Sequence, residues 1–385
     1  MWSFFSKPPP GAGCRVVETI PPGSSIQSQH LNTLECFDEI ITRAKKYIYI
    51  ASYCCNLRST SDGEHILNRL MEAAQNKISV IILVDDQSRD KDRADLTSAG
   101  VNYRKIHVGK KLGTGSLLGS FWVSDDERWY AGSASLTGGS ISTIKTLGLY
   151  SEYAPLARDL RRRFETFSSL GERSESSWLS CMGKCMCCVP LSTAYHMHHP
   201  VGGIFFSDAP ERLLGYSRTL DADSVLGFIE SATTSIDMEL LSIVPLVRKN
   251  DTVKYWPDIY NAIITAAIDR KVRVRLLVGL WRHNDVFSMA AARSIQEFGV
   301  GHADVSVRVF SMPGGVGDAN INNTKLMVVD GTKAHVTVAN FDGTQHLQYA
   351  FVSVNSVDPG VSKELADVFE RDWNSPYSTP LPASK

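Results

Sequence analysis

The same order of helices and strands is written twice along this chain, and that constrains the fold more than any other feature. Residues 34–46 have amphipathic helix spacing and lead into a strand, Tyr47-Ile-Tyr-Ile-Ala-Ser-Tyr53. In the second half, residues 224–232 are the helix and Ser235-Ile-Asp-Met-Glu-Leu-Leu241 the strand. A second pair follows: helix 65–75 with strand 78–84, against helix 259–269 with strand 272–278. Later, 120–125 and 129–135 match 325–330 and 336–340, and each half closes on a helix, 156–167 and 361–373. Short apolar β-branched runs between helical patterns predict sheets covered by helices. Five correspondences in one order predict a duplication. The expected fold is α/β, with two similar α-β-α lobes related by a pseudo-twofold axis. The expected lobes are residues 1–170 and 201–385, joined by a Ser-, Cys- and His-rich linker, 171–200. Junctions of this kind commonly carry a site.

Composition narrows the function classes. The 385 residues are 43% hydrophobic and 21% charged, which is globular, and the formal net charge is −1. No global field draws the chain to nucleic acid or an anionic bilayer, so any such contact is local. No run approaches the roughly 18–20 apolar residues of a membrane span. The start, Met1-Trp-Ser-Phe-Phe-Ser-Lys-Pro-Pro-Pro10, lacks the apolar stretch of a signal peptide, and Trp2 excludes N-myristoylation. A cytosolic chain is expected, its eight cysteines mostly reduced, meeting membranes from that face without crossing them.

The chemistry centres on Asn323-Thr-Lys325-Leu-Met-Val-Val-Asp330, followed by Asn340. Alternation along a strand points Asn323 and Lys325 the same way. Lys325 offers a cation to a phosphate oxygen, and Asn340 an amide donor. Asp330 has opposite parity and is expected to orient a neighbour. The competing reading is an amphipathic strand with a solvated lysine. The Met312–Asn320 stretch before it is glycine-rich but lacks the Lys-Ser/Thr ending of a phosphate loop, and reads as a plain loop.

This spacing resembles the phospholipase D superfamily, whose members carry one His-x-Lys-x4-Asp motif per lobe. The resemblance implies a phosphohistidine intermediate and places Asn323, Lys325 and Asp330 at the catalytic positions. Asparagine stands where the histidine belongs. The first-half equivalents are Leu118, Ser120, Asp125 and Ser135, which keep only the aspartate and otherwise read as a buried strand. Neither Asn323 nor Leu118 can do nucleophilic or acid–base work near pH 7, and losing acid–base help alone costs about 10²–10⁴ in rate. What remains is phosphate binding by Lys325, Asn323 and Asn340. A substitute histidine would come from His335, His346 or His196, each of which also reads as structural. Asp237 and Glu239 share a strand face and either brace Lys325 or face water.

Longer segments narrow the resemblance: 35–52, 121–128, 138–148, Trp256-Pro-Asp-Ile-Tyr-Asn261 and Phe369-Glu-Arg-Asp-Trp373. They are similar to the palmitoylated, phospholipase-like envelope proteins of poxviruses. That resemblance implies a role in wrapping virions with host Golgi or endosomal membrane, with lipase activity. It implies phospholipid membrane as partner, together with viral envelope glycoproteins and host trafficking factors. Tyr153-Ala-Pro-Leu156 departs from the family's Tyr-Pro-Pro-Leu, which argues against recruitment of host sorting machinery there.

Cys181, Cys185, Cys187 and Cys188 crowd the linker. They read as a zinc site with His196, His198 and His199, as inert buried thiols, or as acylation sites. Their Cys-x-Cys-Cys spacing fits zinc poorly, and the resemblance places acyl chains on Cys187 and Cys188. Two chains meet the two-signal requirement for stable attachment, with Trp2, Phe4 and Phe5 either dipping into the interface or packing on the chain. Arg161-Arg-Arg163 reads as a solvated helix face ahead of a headgroup contact. No cofactor, resident metal or nucleic acid is expected, and a homodimer is compatible with two lobes but not required.

Overall fold

The computed structural model describes residues 8–171, 195–249, 251–282, 286–312 and 321–381. Within them the duplication is explicit in the strand pairing. In the first half, β1 (Arg15–Thr19), β2 (Leu31–Asn32), β3 (Tyr47–Ser52), β4 (Ser79–Asp85), β5 (Asn102–Ile106), β6 (Leu117–Ser124), β7 (Arg128–Gly132) and β8 (Thr146–Ser151) are ordered β2-β1-β8-β7-β6-β3-β4-β5. In the second, β9 (Ile204–Ala209), β10 (Thr219–Leu220), β11 (Ser235–Leu240), β12 (Arg273–Gly279), β13 (Val305–Phe310), β14 (Leu326–Val329), β15 (Lys333–Val336) and β16 (Ala350–Ser356) are ordered β10-β9-β16-β15-β14-β11-β12-β13. The two orders are the same. A last strand, β17 (Ser378–Pro380), is added on β13.

Helices α1 (Thr33–Arg43) and α2 (Ser61–Gln75) cover one face of the first half, and α4 (Asp221–Glu230), α5 (Asp258–Ile268) and α6 (Val286–Gly299) the corresponding face of the second. Between the halves lie α3 (Ala154–Ser169) and α8 (Pro359–Trp373), with a short α7 (Gly343–Gln348) before β16. Leu160, Phe164 and Phe167 of α3 and Leu365, Val368 and Phe369 of α8 share one buried core with strands of both halves. Several helices begin earlier than apolar spacing alone indicates, because polar residues start them. Asn32 caps α1 in a capping box with Glu35, Thr60 caps α2, and Asp358 caps α8.

Two equivalent junctions hold the halves together. Leu117 bridges Ala350 in a parallel pairing, and Asn322 bridges Lys145 in another. The offset is 205 residues in both directions, as it is from Leu118 to Asn323 and from Asp125 to Asp330. Lys145 N–H donates to the Ile321 carbonyl at 2.8 Å, and Ala350 N–H to the Ser116 carbonyl at 2.8 Å.

The backbone is symmetric there but the chemistry is not. The Lys145 ammonium is fully buried, 2.7 Å from Asp372, 3.1 Å from Glu239 and 2.6 Å from the Thr324 hydroxyl. Arg371 extends the chain, bonding Asp372 at 3.0 Å and gripping Glu18 of the first half at 2.7 and 2.9 Å. Three carboxylates thus share two cations. Burial and the neighbouring Asp372 push the Glu239 carboxyl up, while Arg371 outweighs burial and holds Glu18 at about 2. At the equivalent junction the counterparts of Lys145, Glu239 and Asp372 are Ala350, Ala51 and Phe167, all in the central core.

Asp125 and Asp330, the last residues of the two motif segments, are framework residues. Each opens a hairpin turn in the left-handed region, Asp125 with Asp126 and Asp330 with Gly331, at φ of +57°, +59°, +52° and +64°. Asp and Gly tolerate that conformation. The Asp330 carboxylate accepts from the backbone N–H groups of Thr233, Thr234 and Ser235 at 2.8–2.9 Å. Asp125 does the same for Lys45, Lys46 and Tyr47 at 2.6–2.9 Å. These bonds depress the Asp330 carboxyl well below the usual range, against the opposing effect of burial. In these contacts Asp330 orients the residues that open β11, in keeping with its parity on the motif strand.

Two predictions follow from this frame. Asp330→Ala strands three N–H donors and puts alanine in a left-handed position, so denaturant titration should show a loss of about 2–4 kcal/mol. Asp330→Asn should lose less. Because the folded carboxyl is depressed, its contribution is present above the unfolded pKa and fades as pH falls below about 4. Lys145→Met leaves buried Glu239 without a cation and Asp372 with Arg371 alone, which should cost about 3–5 kcal/mol, and adding Glu239→Ala should restore part of that loss.

Candidate functional site

Lys325 enters β14 from the junction, two residues after Asn323. Its ammonium donates to the Asn323 side-chain oxygen. The Asn323 amide nitrogen donates across the junction to the Ser133 carbonyl at 3.0 Å, and its backbone N–H to the Lys145 carbonyl at 2.8 Å. With one amide hydrogen on Ser133 and its oxygen on Lys325, Asn323 bridges the halves, and its second amide hydrogen is the donor it retains for a phosphate oxygen. The orientation of the amide is set by these two partners.

Lys325 is 3% exposed, and among the described residues it has no acidic partner. Burial alone pushes its ammonium down to about 7. Asp237 and Glu239 do not brace it. Asp237 pairs with Arg275 at 2.7 Å and Glu239 with Lys145 at 3.1 Å. An amine of this kind is half-charged near neutrality, so it can take a proton or lend a charge according to what approaches.

Asn340 follows β15, its backbone N–H held at 2.7 Å by the Gln345 side chain of α7. Its side-chain oxygen is buried without a hydrogen-bond partner. That orphan atom is an acceptor, so it cannot itself bind a phosphate oxygen. Ser135 is the first-half equivalent, and both carbonyls accept at 2.8 Å from the N–H two residues on.

The first-half motif has lost its backbone geometry as well as its side chains. Pairing between β3 and β6 slips between Ala51 and Ser52, leaving Ser120 as the extra residue of a bulge. Gly119 and Ser120 sit at φ of +59° and +70°, and the buried Ser120 hydroxyl has no partner. Leu118 packs on the apolar group of Val338, Ala339 and Phe351 beside Tyr349. The two halves thus trade contacts, Asn323 reaching Ser133 and Leu118 reaching Val338, and only one exchange is polar.

None of the three candidate histidines bonds Asn323 or Lys325. His335 and His346 are fully buried beside Asp221, at 3.9 and 3.3 Å, and His335 also bonds Asn355 at 2.8 Å. His196 lies in a surface turn with His198 and His199, its pKa lowered chiefly by burial and then by those neighbours. The arginines of α3 are engaged too. Arg161 bonds Asp126 at 2.6 Å, and buried Arg163 lies 3.4 Å from Asp208. Trp2, Phe4, Phe5, the cysteines from Cys181 to Cys188 and most of the glycine-rich loop lie outside the described residues. No group of three or more His, Cys, Asp or Glu able to hold a metal occurs among the described residues, and no described helix is long and apolar enough to cross a membrane.

Lys145 and Ser133 were missed by the motif search. A lone lysine ahead of the apolar run Thr146-Leu-Gly-Leu-Tyr150, aligned with Ala350, was the available signal for the first. No local signal existed for the second, whose contribution is a backbone carbonyl.

Comparison with known proteins agrees with this fold. A family model described as PLD3/4, PLD-like domain matches residues 24–315. The chain is 53% identical over 376 residues to the envelope protein F13 homolog of Molluscum contagiosum virus subtype 2, covering 96% of this chain and 94% of that one. It is 52% identical over 383 residues to the envelope phospholipase OPG057 of Vaccinia virus (strain Western Reserve), covering 99% and 100%. Among solved structures, a phosphatidylserine synthase of Haemophilus influenzae superposes with a TM-score of 0.64 at 14% identity, over 95% of this chain and 87% of that one, a likeness of fold. The chain belongs to the phospholipase D-like family of poxvirus envelope proteins.

Proposed function

We propose that this chain is a peripheral envelope protein that engages phospholipid headgroups at the lobe junction through Lys325 during virion wrapping. Any hydrolysis there would proceed without a phosphohistidine. The observation that carries the reading is Lys325 itself, a buried amine with no carboxylate beside it among the described residues. Burying such a charge is costly unless an anion accompanies it. A phosphate oxygen at the ammonium would offset that cost and draw the amine to its protonated form, so binding would take up a proton near pH 7. Asn340 on the same half is the second proposed contact, through its amide nitrogen as donor. Asn323 fixes the lysine.

For catalysis the chain offers one group that titrates in the right range. The neutral Lys325 amine could take a proton from an attacking water, while the charged form could steady a developing phosphoryl or acyl oxyanion. It cannot do both in one step. A slow, altered lipase activity is what this site supports. Similarity to poxvirus envelope phospholipases supports lipid as substrate class, and the proposed attachment is acylation of Cys187 and Cys188 on the cytosolic face of Golgi or endosomal membrane. Viral glycoproteins and host trafficking factors are the proposed partners in wrapping.

A second reading, a non-catalytic membrane-bending scaffold, is favoured by a specific observation: neither Leu118 nor Asn323 has a titrating nitrogen.

Lipid turnover on bilayers, followed by mass spectrometry, separates the two. On the enzymatic reading the wild type releases headgroup or fatty acid and Lys325→Ala abolishes release, while Asn323→His tests whether the original chemistry can be restored. The scaffold reading expects no turnover, normal wrapping in Lys325→Ala, and loss of wrapping in Cys187→Ser/Cys188→Ser. Turnover and wrapping that both survive Lys325→Ala would remove the cleft from the account.

Stability against pH gives an independent check. The folded amine titrates at about 7 and the unfolded one at 10.5. Below 7 both are protonated and the burial penalty is full. Between the two values the unfolded chain binds more protons, so folding becomes more favourable as pH rises. From pH 6 to pH 9 the wild type should therefore gain stability relative to Lys325→Met. Parallel melting curves across that range would mean the lysine stays charged.

A further inference from the structure

The duplication supplies an internal control, because a feature that one half carries and the other lacks is not required by the fold. Six buried positions of the second half hold a polar network: Ser207 of β9, Asp221 and Ser224 of α4, His335 of β15, His346 of α7 and Asn355 of β16. Strand pairing and the shared order of elements align them with Val17, Thr33, Cys36, Tyr130, Ile141 and Tyr150. Five of those six belong to one hydrophobic core of the first half, and Thr33 is buried as well. The same scaffold therefore closes at this place with apolar packing. A buried polar cluster adds little net stability over such packing, so stability does not account for it.

The hydrogen bonds fix where its protons lie. The Asn355 side-chain oxygen accepts from the Ser224 hydroxyl at 2.7 Å, and its amide nitrogen donates to the Ser207 oxygen at 2.8 Å. Ser207 in turn donates to Asp221 Oδ1 at 2.7 Å. His335 Nδ1 lies 2.8 Å from the same Asn355 oxygen, which is an acceptor, so Nδ1 carries the hydrogen. In the neutral ring Nε2 is then a lone pair, 3.9 Å from Asp221 Oδ1 and without a hydrogen-bond partner among the described residues. His346 Nδ1 lies 3.3 Å from Asp221 Oδ2, too poorly aligned for a hydrogen bond, and its Nε2 has no partner among the described residues either. The His346 ring stacks on Trp256 at 5.5 Å, with the rings of Phe351 and Phe341 at 5.8 and 6.0 Å.

Two imidazoles and one carboxylate thus share a closed space. Asp221, His335 and His346 are the titratable groups that face one another there. Charges on the elements packed around them point elsewhere: Asp208 to Arg218, Lys333 to Ser231 and Asp342 to the Thr344 N–H, while Asp223, Lys254 and Asp258 are exposed. One carboxylate balances one imidazolium. A second proton leaves a net positive charge in a fully buried place, which is costly. Burial would raise the Asp221 carboxyl, but His335 and His346 hold it well below the usual range. Burial lowers His335 more than Asp221 raises it. Because the folded His335 takes its proton less readily than the unfolded one, its contribution to stability is complete above about pH 6.5 and declines below it.

The cluster is joined to the candidate site through α7. Gln345, beside His346, accepts the Asn340 N–H at 2.7 Å, and Gln348 accepts from the Thr114 hydroxyl of the first half at 2.7 Å. His346 therefore faces Asp221 from the helix that holds Asn340.

We propose that Asp221, His335 and His346 form a proton-operated latch: at neutral pH the cluster holds α7, and with it Asn340, against the second half, and protonation in acid releases the helix. The latch stands apart from whatever the Lys325 site binds or does.

Hydrogen exchange of the full-length chain, corrected for the intrinsic effect of pH, reads the helix directly. From about pH 7.5 to about 5.5, amides of residues 343–349 in the wild type should exchange about tenfold faster, while those of β14 change little. His335→Asn/His346→Asn places an amide donor near each Nδ1 position and cannot take a proton, so its α7 exchange should be the same at both pH values. Imidazole resonances of the wild type, with His335→Asn identifying one of them, give a readout that does not need the double variant to fold. The His335 signal should titrate between about pH 7 and 5, in step with exchange at α7. Exchange at α7 that ignores pH in the wild type would overturn the proposal, and so would an acid response that persists in the double variant. A His335 ring that stays neutral down to about pH 5 would overturn it as well. Lys325→Met should keep the acid response of α7, and its loss there would assign the sensor to the lysine instead.

Discussion

Everything at the candidate site depends on the two parallel bridges that sew the halves together, Leu117 to Ala350 and Asn322 to Lys145. They fix the strand entries one residue before Leu118 and Asn323, so the motif of each half meets the partner half at a set height. A symmetric backbone then receives asymmetric chemistry. One junction is filled by alanines and Phe167, the other by Lys145, Glu239 and Asp372, with Arg371 and Glu18 behind them. A buried ionic chain of this sort adds little net stability compared with apolar packing, but breaking it is costly. It holds the second junction in one arrangement, because every alternative strands a charge.

That rigidity lets an unfavourable group persist beside it. Lys325 is buried with an amide oxygen for company and no acidic partner among the described residues, while Lys145, whose ammonium donates to the Thr324 hydroxyl at 2.6 Å, is paired with two carboxylates. Two lysines in neighbouring places thus have opposite electrostatics. The pKa of Lys145 is raised by Asp372 and Glu239 against its burial, and that of Lys325 is lowered by burial unopposed. Five residues on, Asp330 ties the hairpin turn to the start of β11. The motif therefore combines a framework aspartate with a buried lysine that has no acidic partner among the described residues, and the first half keeps only the aspartate.

Much of this was legible in the sequence. Repeated helix and strand periods gave the two halves and their order, and the 205-residue offset aligned Leu118, Ser120 and Asp125 with Asn323, Lys325 and Asp330. Helix starts were placed late, since Asn32, Thr60 and Asp358 act through capping and not through apolar spacing. Alternation along a strand could not foresee the bulge at Ser120, which depends on how β6 meets β3. Nor could it tell that the Asn323 amide would be engaged at both ends, because its partner Ser133 contributes only a carbonyl from the other half. Glu239 looked available for Lys325 by strand parity, and only the tertiary arrangement gives it to Lys145.

The account turns on the ionisation of one amine, and that can be read directly. In protein labelled with ¹³C at the lysine side chains, with Lys325→Arg identifying the resonance, the Lys325 signal should titrate near pH 7 and move to higher pH when glycerophosphate is added. A Lys325 resonance that titrates above pH 10 and ignores glycerophosphate would contradict the claim that the junction holds an unpaired amine awaiting a phosphoryl anion.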